Sequence, residues 1–480
     1  MYKTKPYKHQ RKAVNRLIKE DNFALFMEMG TGKTKIIIDD ASYRYERGLI
    51  DTLIIVCPNG LQLNWMNREL PVHMAAEYKV AVWGTTTKEK RAWYALYDER
   101  EKLRVFIINI DQLSRGEGER ILSKVLRSAI GAILAVDESQ RIKNHKANCT
   151  KALLRLGPEA TYKRILSGTP VTQGPLDLWS QMRFLNPKIL PFKTYTAFKH
   201  NYAIITIVKV DTNRLGFFEK ITGYKNLDQL RKYIAPYSFI VKKKDCLDLP
   251  KKLFENIYVP LTAQQKRIYK EMVREAVAVI KNPPSHMTPE EMILWAMDSK
   301  GRITAANGLV KLLRCQQVLG GFVKSEDGTV ERLDNNRLTI LLEQLGLLAD
   351  DAKVIIWARF VEEIKALKEL LGDEAVTYYG AVNTKDRDTA VTAFQENPDI
   401  RYFIAQPASG GVGLTLTAAS YVVWYSMDYS LEHYLQANDR AHRIGQTKNV
   451  TYLHLVSPKT LDERILTALT TKKRIAEELI

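Results

Sequence analysis

Paired cysteines are missing from this chain. Cys57, Cys149, Cys246 and Cys315 lie far apart, without the close spacing that a zinc site or a disulfide framework needs, so they are expected to be reduced and structural in a cytoplasmic setting. Long apolar runs are missing too: no stretch could span a bilayer, and no signal-peptide pattern follows Met1. Short repeats and low-complexity tracts do not occur. Acidic residues are outnumbered, 54 against 72 Lys and Arg, which leaves a formal net charge of +18 at pH 7. An excess of that size favours a polyanionic partner, and without membrane signals nucleic acid ranks above an anionic membrane.

What is present points to an α/β protein. A length of 480 residues exceeds what one hydrophobic core usually supports, which gives about two to four domains. Apolar, β-branched runs alternate with helical stretches at 23–27, 53–57, 105–108 and 130–136, the pattern of a parallel sheet with both faces covered. The pattern returns at 354–357, 402–405, 421–424 and 451–456. The expected organisation is therefore two parallel-sheet lobes, 1–250 and 351–480, the second ending in a helix over 461–480 that braces the lobes. Residues 251–350 read as a mainly helical insertion, broken by an exposed loop at Pro283, Pro284 and Pro289. A β-hairpin over 204–224, turning near Asn213 and Gly216, is expected to project from the first lobe.

The stretch Met27-Glu-Met-Gly-Thr-Gly-Lys-Thr34 sits between a hydrophobic strand and the start of a helix. Gly30 and Gly32 allow the backbone of Met29 through Gly32 to wrap so that its amides face phosphate oxygens, and the helix N-terminus adds partial positive charge. In this cradle Lys33 would hold the β- and γ-phosphates and Thr34 would ligate Mg2+. Met27 stands where the general phosphate-loop pattern has its first glycine, and the third glycine of a dinucleotide fingerprint is absent.

The run at 130–136 ends in Asp137-Glu138, which places two carboxylates at the carboxyl end of a strand, where open α/β sheets bind ligands. Asp137 would hold Mg2+, and Glu138 would orient and deprotonate an attacking water. Further on, Ser167 and Thr169 form a hydroxyl-rich turn suited to sensing the terminal phosphate, the alternative being a plain Gly/Pro turn. The chemistry needs another cation where charge builds up in the transition state. Arg440 and Arg443, three residues apart, are expected on one face of a helix, pointing into one cleft. Upstream, Ser409-Gly-Gly-Val-Gly413-Leu414 makes a glycine-rich loop apt for close contact with phosphates of ATP or of a nucleic-acid strand. Lys242-Lys-Lys244 could meet a phosphate backbone or form a solvated face, and Trp65 and Trp357 suit core packing better than base stacking.

Taken together, these segments resemble the Swi/Snf-like branch of helicase superfamily two. The resemblance covers nearly the whole chain and is carried by Pro6-Tyr-Lys-His-Gln10, the phosphate loop, Pro58-Asn-Gly-Leu-Gln-Leu-Asn-Trp65, Leu166-Ser-Gly-Thr-Pro170, Asp245-Cys-Leu-Asp-Leu-Pro250, Leu261-Thr-Ala-Gln-Gln265, Gly410-Gly-Val-Gly-Leu-Thr-Leu416 and Gln436 through Gln446. It implies RecA-like lobes with ATP and Mg2+ bound between them, Gln10 at the adenine edge, and loops after Pro58 and Ile110 that grip one strand of duplex DNA. It further implies stepping along the phosphate backbone without base readout. Three departures stand out: Ser139-Gln140 follows the acidic pair where relatives carry Ala-His or Gly-His, Thr415 stands where many relatives read Gly-Leu-Asn-Leu, and Ser426-Met-Asp-Tyr-Ser-Leu431 replaces a typical Asp-x-x-Trp-Asn-Pro. No further appendage is legible, which suggests a bare motor from a bacterial cell or virus-infected host. A duplex-DNA translocase is the first reading, a strand-separating DNA or RNA helicase the second, and an ATP-gated scaffold without hydrolysis the third.

Overall fold

The computed structural model describes residues 2–84, 86–210, 216–278, 305–325, 327–410 and 413–479. The expected proline loop at 283–289, the hairpin turn at Asn213, and Gly411 and Val412 of the glycine-rich loop lie outside them. The chain divides into two compact units, one of Met1–Ala203, Tyr224–Asp248 and Lys472–Ile480, the other of Ile204–Gly223 and Leu249–Thr471.

The first unit is built on β1 (Asn22–Met27), β2 (Thr52–Cys57), β3 (Tyr78–Val82), β4 (Leu103–Asn109), β5 (Ala132–Asp137) and β6 (Tyr162–Ser167). The hairpin strands β7 (Ala203–Val210) and β8 (Gly216–Tyr224) form, but Ile204–Gly223 groups with the second unit and not with the first as expected; β9 (Ser238–Val241) then returns to the first sheet. The sheet order is β3-β4-β2-β5-β6-β1-β9, and every pairing is parallel. Strands β1, β2 and β5 are near-continuous apolar runs because both faces are covered. Phe23, Leu25 and Met27 pack with Ile36, Ile37, Leu53, Ile55 and Ile133 in one core. Neighbouring strands β5, β6 and β1 align Asp137 with Leu166 and Leu166 with Leu25. Their carboxyl ends therefore present the acidic pair, the Ser-Gly-Thr turn and the phosphate loop side by side. Ile130, expected inside a strand, precedes β5 and is 88% exposed.

Behind that edge lies a buried ionic knot. Asp40 accepts from Arg44 Nε at 2.9 Å and from Arg164 Nε at 3.0 Å, while Arg164 also donates to the carbonyls of Asp21, Glu20 and Leu17. These bonds tie the end of the first helix (Lys8–Leu17) to the helix Lys33–Glu46 and to β6. A buried charge stripped of its partner is costly, so Arg164→Ala is expected to lower unfolding free energy by about 3–5 kcal/mol in denaturant titration. Asp40→Ala, which strands two guanidinium groups, should cost at least as much; a loss below about 1 kcal/mol for either would contradict this account of the knot.

The second unit carries β10 (Lys252–Tyr258), β11 (Phe322–Lys324), β12 (Val330–Arg332), β13 (Val354–Trp357), β14 (Ala375–Tyr378), β15 (Tyr402–Ala405), β16 (Tyr421–Trp424) and β17 (Val450–Val456). Its main sheet runs β10-β17-β16-β13-β15-β14, again all parallel. Strand β10 corrects the mainly helical reading of 251–350. It pairs with β17 along its whole length, yet it is an edge strand with most side chains exposed, so it lacks the apolar run that marks a buried strand. The helices Ala263–Ala278 and Ala305–Leu319 do follow, packed around Tyr269, Val273, Leu312 and Cys315. The helix Asn336–Gly346 sends Leu341 and Leu345 into the sheet's core beside Val354 and Ile356. None of the four cysteines is joined in a disulfide. No helix among the described residues is long and apolar enough to cross a membrane.

Candidate functional site

The loop after β1 turns through two left-handed glycines, Gly30 at φ 76° and Gly32 at φ 86°. Gly32 also meets the first helix: a Cβ there would lie 2.1 Å from Gln10 Nε2. Gln10 is buried, its Oε1 accepting from the Tyr7 amide at 2.9 Å and its Nε2 donating to the Thr31 carbonyl at 3.2 Å. His9 Nε2 bonds the same carbonyl at 2.8 Å. The helix that begins at Lys8 is thus fastened directly to the loop. Lys33, the first residue of its helix, folds its ammonium back onto the carbonyls of Met27 at 2.8 Å and Glu28 at 3.3 Å. From the other side, Glu28 accepts from the Lys243 amide and donates its own amide to Val241. Lys243 is buried. The Lys242–Lys244 cluster is therefore not a uniformly solvated basic face, because its middle residue buttresses the phosphate loop.

Asp137 ends β5 and is 8% exposed. Burial pushes its carboxyl above the ordinary carboxylate range, opposed by the Trp65 hydrogen bond, the nearby Lys33 ammonium and the Glu138 amide. Glu138 adopts a left-handed backbone, φ 52° and ψ 55°, a conformation that costs a non-glycine residue about 1–3 kcal/mol and clusters at functional sites. This turn lets the Glu138 amide reach Asp137 Oδ1 at 2.9 Å and swings the chain into a short 3-10 turn, Ser139–Ile142.

That turn gives the Ser139-Gln140 departure a physical meaning. Gln140 Nε2 donates to Glu138 Oε2 at 2.8 Å, and Gln140 Oε1 accepts from Ser167 Oγ at 2.6 Å. Ser167 Oγ accepts in turn from the Thr169 amide at 2.9 Å, and Ser139 Oγ donates to Gln181 Oε1 at 2.8 Å. A buried amide side chain thus connects the acidic pair to the hydroxyl turn. Gly168 packs on Met29, and a Cβ at that position would come within 3.5 Å of Lys33 Nζ. The Thr169 hydroxyl is buried without a hydrogen-bond partner, a donor-acceptor group held next to the loop. Thr34 and Asp137 offer the hard oxygen donors that suit Mg2+, an ion usually held by few protein groups together with nucleotide phosphates.

In the second unit the expected arginine helix ends early. Leu431–Asn438 is helical, but Arg440 and Arg443 lie in the turns that follow it. The Arg440 carbonyl accepts from the Leu416 amide at 3.0 Å, and Arg440 Nε donates to the Gln436 carbonyl at 2.9 Å, contacts that replace the next helical turn. Gln446 fixes the segment by donating to the carbonyls of Thr417, Ala419 and Ala441. The pair still converges, though through the loop instead of a shared helix face: both Nη1 atoms reach the Leu414 carbonyl, at 2.9 Å from Arg440 and 2.7 Å from Arg443. Gly413, one residue earlier, has φ 78°. Leu414, next to Gly413, and both guanidinium groups therefore form one assembly.

Residues 9–315 match the family described as SNF2-related domain, and residues 336–445 match the helicase conserved C-terminal domain. The chain belongs to the SNF2-related family. Its relatives include the ATP-dependent helicase MG018 of Mycoplasma genitalium, 26% identical over 98% of this chain, and YwqA of Bacillus subtilis, named for an ATP-dependent helicase/translocase, 27% identical over 94%. The chain spans 42% and 46% of their respective lengths. Among solved structures, the SWI2/SNF2 ATPase core of Sulfolobus solfataricus in complex with dsDNA is 24% identical, covering 100% of this chain and 93% of that one, with a TM-score of 0.43. Two functional contacts escaped sequence reasoning. Gln140 carried a signal, its place directly after the acidic pair, whereas nothing in the spacing links Trp65 to Asp137.

Proposed function

We propose that this SNF2-related protein hydrolyses ATP to translocate along double-stranded DNA. The observation that carries the reading is the hydrogen-bonded chain from Glu138 through Gln140 to Ser167 and Thr169, with Gly168 of the same turn packed on Met29 of the loop. It joins the carboxylate assigned to water activation to the turn assigned to phosphate sensing. In this reading the amides of Met29, Gly30, Thr31 and Gly32 hold the phosphates, Lys33 neutralises the β- and γ-phosphates, and Gln10 faces the adenine edge. Thr34 and Asp137 hold Mg2+, which when bound neutralises phosphate charge. Glu138 orients the water and takes its proton. Arg440 and Arg443, carried by the segment at Gly413 and Leu414, are the residues assigned to supply positive charge at the terminal phosphate.

The net charge of +18 supports a polyanionic track, and contacts to phosphate release counterions. Duplex-DNA affinity is therefore expected to fall steeply with salt, with a log-log slope of about −0.9 per phosphate contacted; a flat response in a titration from low to physiological salt would point to another partner. Translocation and unwinding are separated by pairing a triplex-displacement assay with a forked-duplex assay. Displacement of the third strand with the fork left intact is expected. Unwinding of the fork would favour a strand-separating helicase, and binding without phosphate release would favour a scaffold.

A further inference from the structure

Trp65 opens a π-helical turn, Trp65–Glu69, set between the short α-helical segments Leu61–Asn64 and Leu70–His73. Such turns are rare and occur frequently at functional sites. The indole is 1% exposed, and its Nε1 donates to Asp137 Oδ2 at 3.0 Å, bridging 72 residues of sequence. The other oxygen, Oδ1, accepts from the Glu138 amide. These two contacts are different in kind. The Glu138 amide belongs to the same strand end as the carboxylate and moves with it, whereas the indole belongs to the segment that follows β2. An indole N–H can only donate, and its ring is rigid, so the ring's position selects which lone pairs of Asp137 face outward.

We propose that Trp65 is a positioning residue that couples the segment after Pro58 to the carboxylate assigned to Mg2+. This rests on the reading above, in which that segment grips one DNA strand and Asp137 helps hold the metal. When duplex DNA shifts the segment, the indole shifts with it and re-aims Asp137, so nucleic acid bound at one place adjusts the geometry of hydrolysis at another. Both ends of this link, and the residues between them, lie in the first unit.

The test uses Trp65→Phe, which keeps a buried aromatic ring and deletes the N–H. With a non-hydrolysable ATP analogue bound, Mn2+ affinity measured by electron paramagnetic resonance is expected to weaken about 10–100-fold, the usual cost of removing a group that orients a metal ligand. Duplex affinity and the KM for ATP should stay within about twofold of the parent, while kcat at saturating duplex falls at least about tenfold, in keeping with that loss. A second measurement needs no substitution. In the parent protein, which has seven tryptophans, the indole N–H resonance most broadened by bound Mn2+ should also shift when duplex DNA is added without nucleotide. A parent that binds no Mn2+ with the analogue overturns the site assignment and this inference with it. A parent that binds Mn2+ and is stimulated by DNA, beside a Trp65→Phe protein equal to it in both, overturns the coupling alone, as does an indole resonance unmoved by DNA.

Discussion

Glu138→Gln is expected to lower phosphate release by about 10²- to 10⁴-fold, the contribution of a positioned general base, while ATP binding measured with a fluorescent analogue stays near the parent's. The substitution preserves shape and keeps an oxygen able to accept from Gln140, so the links from Gln140 to Ser167 and from Ser167 to the Thr169 amide have no reason to break. Only the proton acceptor is lost. The left-handed backbone at this position makes the expectation sharper, because such a conformation costs a non-glycine residue about 1–3 kcal/mol and clusters at functional sites. Turnover close to the parent's would place the general base elsewhere and leave that strain without a role.

Arg440→Ala is expected to cost about 10³- to 10⁵-fold in turnover, the range for a guanidinium that meets the transferring phosphate, again with ATP binding largely kept. Both guanidinium groups reach the Leu414 carbonyl, but Arg440 is buried and anchored by its Nε to Gln436, whereas Arg443 is partly exposed. The pre-ordered group gives up less freedom on meeting a phosphate, so Arg440 should show the larger loss. Lysine at position 440 should fail to restore activity, since an ammonium cannot reproduce the planar fork. A melting curve accompanies the assay, because Arg440 also satisfies two carbonyls. An Arg440→Ala protein that folds normally and hydrolyses ATP at the parent's rate would remove this residue from the chemistry.

Much of this was legible in the sequence because burial on both faces leaves a strong signature. Strands β1, β2, β4 and β5 and the second-unit strands β13, β15, β16 and β17 are apolar runs bounded by turns, and they stand within a few residues of their expected places. Strands β3, β9, β10 and β14 were not legible, for they are short or half-exposed and their pairing is decided by neighbours distant in sequence. At the site, the order of loop, acidic pair and hydroxyl turn along the chain was readable, but not the side-chain bonds among them. Gln140 read as a departure from its relatives, yet an amide that both donates and accepts can link a carboxylate to a hydroxyl. The arginine pair was misplaced for a different reason: a three-residue spacing suits a helix, but the Arg440 Nε takes the Gln436 carbonyl while the Arg440 amide shifts to the Ala437 carbonyl, and the helix stops at Asn438. Lys243 illustrates the same limit, since a run of three like charges says nothing about which one the fold buries.

The most direct measurement is phosphate release by the purified chain in the presence of duplex DNA, single-stranded DNA and RNA, side by side, with Lys33→Ala as the blank. The account predicts that duplex DNA stimulates hydrolysis well above the other two and that the blank stays at background with all three. Hydrolysis indifferent to every nucleic acid, or equal in the parent and Lys33→Ala, would contradict it.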